Sequence, residues 1–287
     1  MKVFQYIHLW KSTIKETIMD KLYVFGTGNA TVTRCYNTCF ALQNSQKEYF
    51  MVDTGGGNGI LRILEDMNVE INDIHHIFIT HEHTDHLLGI VWMIRVIATR
   101  MKAGKYSGQL SVYCHEELVD TITTICRLTL QGKFFKMIGE QIQLIPVHDG
   151  ETRQILEYPV TFFDIHSTKA KQYGFTTILD NGKKFTCCGD EPFNQDCLDY
   201  VKGSHWLTHE AFCLYDQRDI FKPYEKHHST VKDAAELAET LDIANLILWH
   251  TEDKNIANRE ELYLAEGQPL FSGNLFVPTD QSILSLD

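Results

Sequence analysis

The sequence predicts an α+β fold: two β-sheets packed together, with helices outside them. Three observations carry this. Short β-branched and aromatic runs recur along the chain and dominate its early half. Apolar residues at helical spacing appear between and after them, and the 6 prolines are too scattered to mark a linker. No internal repeat interrupts this order, so one compact domain is expected over residues 19–287. The same pattern would also serve an ordinary doubly wound sheet.

In chain order, K-L-Y-V-F (21–25) is the first strand, followed by 37–42 and by Y-F-M-V (49–52). A helix is expected over 59–67, where Ile60, Ile63, Leu64 and Met67 recur three and four residues apart. Strand 76–80 leads to a helix over 86–101, and strand 110–114 to a helix over 116–129. Four strands follow, over 141–147, 160–166, 174–179 and 184–188, with Asn181–Gly182 as the turn between the last two. Strand 204–208, helix 230–241, strand 245–249 and helix 258–267 complete the series. Met19 opens M-D-K-L-Y-V, which reads like a natural chain start, so residues 1–18 are expected to be an N-terminal extension. A docked amphipathic helix is the competing reading of that segment.

The 287 residues, 44% of them hydrophobic, suffice for a sizeable core. A formal net charge of -12 means that the overall field does not draw the chain to nucleic acid. The 8 cysteines form no C-x-x-C pair, and Cys187 and Cys188 are adjacent. Reduced, mostly buried thiols in a cytoplasmic protein are expected. No apolar run approaches the roughly 18 residues of a membrane span, and the first 20 residues show no signal-peptide pattern.

The densest run of protonatable groups is T-H-E-H-T-D-H-L-L-G, residues 80–89. It lies between a strand and a helix expected to start near His86. In extended chain, residues two apart point the same way, so His81 and His83 share a face while Glu82 and Thr84 face away. Asp85 and His86 follow where the chain turns and can aim at a second point. Imidazoles with a carboxylate suit zinc or a similar divalent cation, and two points of aim suggest two metals.

At these residues the chain resembles the metallo-β-lactamase superfamily, whose H-x-H-x-D-H motif H-E-H-T-D-H matches. Further runs are similar to its ribonuclease Z branch: G-T-G-N-A (26–30), Y-F-M-V-D-T-G-G-G (49–57), C-C-G-D-E (187–191), H-W-L-T-H-E-A-F (205–212), H-S-T-V-K-D-A-A-E-L-A (228–238) and L-I-L-W-H (246–250). The resemblance spans residues from about 20 to 255. It implies an αββα sandwich of two mixed sheets flanked by helices, a dinuclear site and a homodimer. Residue by residue, it implies His81, His83 and His166 on one metal, Asp85, His86 and His250 on the other, and Asp190 bridging them. His148 is a rival for His166 but reads as a turn residue in P-V-H-D-G.

The implied reaction is hydrolysis by a metal-bound hydroxide, with two divalent ions that are zinc, or alternatively manganese or iron. His228 is the candidate proton donor to the leaving group and Glu210 its carboxylate partner, with Asp85 also counted in the catalytic set. Thr230 and Asp233, just beyond His228, are spaced like a capping box. His227 is expected at the surface. Gly55, Gly56, Gly57 and Gly59 lack the Lys-Ser/Thr of a phosphate loop and are expected to form tight turns. Asp53 is expected to brace that turn, with a bond to a ligand histidine as the secondary reading.

The chain departs from ribonuclease Z in having only residues 167–189 between His166 and Asp190, too few for the family's tRNA-gripping arm. A small anionic or phosphodiester substrate is therefore expected rather than tRNA 3′ processing. Nucleic acid has weak support, from basic residues at 95, 100, 102 and 105 and at 169, 171, 183 and 184. The alternative is a carboxylic ester, lactone or thioester hydrolase on the same site. A di-iron redox protein of the flavodiiron kind is a distant third, since those carry Glu where this chain has His83.

Overall fold

A computed structural model describes residues 20–287; the expected extension, residues 1–18, lies outside the described residues. The first sheet contains β1 (Lys21–Gly26), β2 (Cys39–Gln43), β3 (Tyr49–Val52), β4 (Ile74–Phe78), β5 (Leu110–His115) and β6 (Ile142–Val147). The second contains β7 (Thr152–Ile155), β8 (Tyr158–Asp164), β9 (Tyr173–Ile178), β10 (Lys184–Cys187), β11 (Trp206–Glu210), β12 (Asn245–Trp249) and β13 (Asn274–Phe276). The last strand, β14 (Ser282–Ser285), returns to pair with β1, so each sheet has seven strands. Both sheets are mixed: an antiparallel half built from hairpins continues into a parallel half, β3 to β6 in one and β10 to β13 in the other.

Parallel pairing needs crossovers, and helices supply most of them. These include α1 (Gly59–Asp66), α2 (Thr84–Leu87), α3 (Gly89–Lys102), α4 (Glu116–Thr129) and α5 (Gly132–Phe135) on the first sheet. On the second they are α6 (Leu198–Val201), α7 (Arg218–Phe221), α8 (Val231–Thr240) and α9 (Arg259–Gly267). Along β1, Leu22 and Val24 face the core between the sheets, while Tyr23 and Phe25 face the helices. This is the period-two alternation of a strand, here apolar on both faces because both faces are covered. The middle layer is aromatic: Phe40 lies 4.7 Å from Trp249, and Phe50 lies 5.4 Å from Phe175, ring centre to ring centre across the two sheets. The doubly wound alternative is thereby replaced by the αββα sandwich.

Three strands were not expected from sequence: β7, β13 and β14. All three are sheet edges, three or four residues long. Elsewhere the differences are at the ends. Strand β8 stops at Asp164, two residues short of His166, and the helix after the histidine run begins at Thr84 rather than His86. The turn at Asn181–Gly182 joins β9 to β10 as expected, with Gly182 at φ 80°.

Among the described residues no helix is long and apolar enough to cross a membrane. All eight cysteines are free, and all but Cys35 are buried.

Candidate active site

The carboxyl ends of the parallel strands of both sheets meet along one edge of the sandwich. His81 follows β4, Asp190 follows β10, Glu210 ends β11 and His250 follows β12. Ligand sites in α/β sheets form at such strand ends because the chain leaves the sheet there and its loops are free to carry function. Two residues at these ends take the left-handed conformation without being glycine, Asp53 at φ 56° and His250 at φ 53°. Such strain concentrates at functional sites.

Three groups of ligand-type atoms converge, and Glu210, His228 and His250 make one of them. Of the other two, one joins His81, His83 and Asp190 and one joins Asp85, His86 and His250. Asp190 Oδ2 lies between them, 3.7 Å from His81 Nε2, 3.5 Å from His86 Nε2 and 3.4 Å from His250 Nε2. Asp85 Oδ2 is 3.3 Å from His86 Nε2 and 3.5 Å from His250 Nε2. All but His83 are buried.

Burial pushes the Asp190 carboxyl up, but the imidazoles of His81, His86 and His250 overcome it and hold it well below the usual carboxylate range. The same balance, with His86 and His250 prevailing over burial, holds Asp85 low. His81 runs the other way: burial outweighs the pull of Asp190 and lowers its imidazole well below its ordinary value. Burial also lowers His86, yet the carboxylates of Asp53, Asp85 and Asp190 win and raise it.

Neighbouring groups fix the ring orientations. His86 Nδ1 donates to Asp53 Oδ2 at 2.7 Å, which leaves Nε2 aimed at the cluster. The Thr80 hydroxyl donates to the same carboxylate at 2.8 Å, so its oxygen is an acceptor for His81 Nδ1 at 2.9 Å. The Gln172 amide also lies 3.0 Å from His81 Nδ1. The glycine turn after Asp53 makes room for an aromatic ring and does not cradle a phosphate. Gly55 has φ 69°, and a Cβ there would meet the Tyr36 ring at 2.2 Å.

Beside the second group, His228 Nδ1 stands 3.6 Å from Glu210 Oε2. Glu210 Oε1 accepts the backbone N–H of Ser229. The Phe212 ring stacks on His228 at 4.9 Å and 12°. Thr230 caps α8 with the capping box expected from its spacing to Asp233.

These groups open on a cavity of about 570 Å³. Glu82 and Thr84 line it rather than facing away, because the helix begins one residue after His83 and turns both toward the opening. Asn29, Lys169, Phe212 and Lys226 form other parts of its wall.

The structure does not bring His166 into either group. The residue is exposed, takes φ 58° and donates its backbone N–H to Asp164 Oδ1. His148 is exposed in a turn, and His227 is exposed. Of the expected basic groups only Lys169 reaches the cavity; Lys171 pairs with Glu117 and Arg100 with Asn72. Gln172, Asn29 and Phe212 were missed from sequence. The first two act across contacts 91 and 222 residues apart, for which no local signal exists. Phe212 had one, standing directly after His-Glu-Ala.

Residues 20–264 match the profile of the family described as anti-Pycsar protein Apyc1. The chain belongs to the anti-Pycsar protein Apyc1 family. This Apyc1 family member is 25% identical to ribonuclease Z of Azobacteroides pseudotrichonymphae, over 92% of the chain and 97% of that protein. The metallo-β-lactamase fold protein YhfI from Bacillus subtilis superposes with a TM-score of 0.75 at 15% identity, covering 93% of the chain and 99% of YhfI. The short form of human tRNase Z superposes with 0.71 at 20% identity, covering 93% and 99%. The Apyc1 family member thus has the metallo-β-lactamase fold and is similar in sequence to ribonuclease Z.

Proposed function

We propose that the chain hydrolyses a phosphodiester of small-molecule size at a centre of two divalent cations. One observation carries this. His86 Nε2, His250 Nε2 and Asp190 Oδ1 are buried beside one another with no hydrogen-bond partner. Buried polar atoms are almost always paired, and unpaired nitrogens around a carboxylate fit a cation. His81, His83 and Asp190 would hold one ion and Asp85, His86 and His250 the other, with Asp190 shared. His166 would join the first group only if segment 165–171 turned its ring inward. The nitrogen and oxygen donors suit zinc, and manganese or iron equally.

When bound, two such ions polarise a phosphoryl oxygen and make water a nucleophile near neutral pH. Asp53 and Thr80 hold His86 and His81 with their Nε2 atoms toward the cluster. Asp85 and Asp190 remain ionised because the imidazoles around them favour the charged form. His228 delivers a proton to the leaving oxygen, and the Glu210 carboxylate, 3.6 Å from its Nδ1, faces the imidazole from behind.

Cavity size supports a small substrate. About 570 Å³ lies within the range of small-molecule sites and accommodates one nucleotide. A phosphodiester contained within a single nucleotide is a cyclic one, which makes cyclic nucleotides the first choice. Against tRNA processing stands the short connection from 167 to 189, filled by a loop and the β9–β10 hairpin. Metal-reconstituted protein assayed on cyclic nucleotides, bis-p-nitrophenyl phosphate, lactones and precursor tRNA tests the reading. Turnover of the first two is expected; activity confined to carboxylic esters or to precursor tRNA overturns it.

A further inference from the structure

The loop between β8 and β9 is clasped over the cavity by contacts to two other segments. The Ser167 hydroxyl donates to Glu191 Oε1 at 2.8 Å. Thr168 Oγ1 lies 3.2 Å from His227 Nδ1. Lys169 Nζ stands 3.4 Å from Glu191 Oε1 and donates to the Lys226 carbonyl at 3.2 Å. The backbone of Lys169 is exposed, yet its side chain is only 25% exposed, and Glu191 is buried.

An ammonium has three N–H donors. The Lys226 carbonyl takes one of them and the Glu191 carboxylate stands at ion-pair distance, which leaves an N–H for a ligand in the cavity that Lys169 lines. The other cation on this wall, Lys226, is exposed, with its ammonium 4.8 Å from the Phe212 ring centre. Lys169 is therefore the anchored charge. The same cavity is lined by the carboxylates of Glu82, Asp85 and Asp190, in a chain of net charge -12. An anion entering such a wall needs a fixed local cation.

We propose that Lys169 is a specificity-determining residue: its ammonium binds an anionic oxygen of the substrate, so that the cavity selects phosphate esters over neutral carboxylic esters. The assignment rests on the hydrolase site described above and adds to it the group that reads substrate charge. Glu191 sets the position of the cation, holding Nζ at the wall through their ion pair.

Metal-loaded full chain with Lys169→Gln or Lys169→Arg tests this. The measurements are KM and kcat on bis-p-nitrophenyl phosphate and on p-nitrophenyl acetate, and calorimetric affinity for inorganic phosphate. Loss of one charge-assisted hydrogen bond weakens binding about tenfold or more. Lys169→Gln is thus expected to raise KM for the phosphodiester and to weaken phosphate binding by that factor, with the loss in KM rather than kcat. The penalty on the acetate should be about tenfold smaller, and Lys169→Arg should recover most of the loss. Unchanged phosphate affinity in Lys169→Gln, or equal losses on both esters, overturns the assignment. If the unaltered protein cleaves no phosphodiester, the proposed reaction falls by itself, and the phosphate affinities still decide the role of Lys169.

Discussion

Asp53 and His86 are joined by a 2.7 Å hydrogen bond from the imidazole Nδ1 to the carboxylate, although 32 residues lie between them. The same carboxylate also accepts from the backbone N–H and hydroxyl of Thr80. One buried group thus orients His86 directly and His81 through Thr80. Groups that orient metal-binding imidazoles commonly contribute about 10- to 100-fold in metal affinity. Asp53→Asn should lose metal by about that factor in a chelator competition, with activity returning in excess metal. Unchanged affinity would show that Asp53 serves only the turn.

His228 and Glu210 form the proposed proton donor and its partner. His228→Ala should lower kcat by about 100-fold or more while the bound metal, measured by elemental analysis, stays level. Parallel loss of metal and turnover in His228→Ala would make His228 a ligand or a fold residue instead.

The metal-free protein should lose stability in acid through Asp85 and Asp190. Both carboxyls are held below their ordinary value of 3.8 by neighbouring imidazoles. Such groups bind fewer protons folded than unfolded, so their contribution is full above that value and disappears as pH falls through the folded one. Urea midpoints should drop steeply below about pH 4, and the drop should be shallower in Asp190→Asn. Equal slopes in the two proteins would contradict the assignment.

His166 gives a clean test of loop movement. If metal loading turns segment 165–171 inward, His166→Ala should bind one ion normally and the second about 10-fold or more weakly, as expected for a lost imidazole. If the ring stays outside, as the structure has it, titration will find two ions with unaltered affinities.

Much of the architecture was legible because its cause is local. The histidine run had to lie on a strand-to-helix turn, since apolar spacing changes from continuous to helical across it. Interior strands such as β3 and β12 were legible because burial on both faces makes them largely apolar. Edge strands were not. In β14 exposed and half-buried residues alternate, and its assignment depends on pairing with β1, at the opposite end of the described chain.

The sequence by itself determined the order of strands and helices and the chemistry of the ligand-type side chains, because both follow from residues a few positions apart. Only the tertiary structure decided that Asp190 stands between two imidazole groups and that Asp53 reaches His86 directly and His81 through Thr80. It also turned Glu82 toward the cavity and left His166 outside. Those outcomes depend on how two sheets meet at one edge, and that meeting is set by packing between residues too distant in sequence for any local pattern to record.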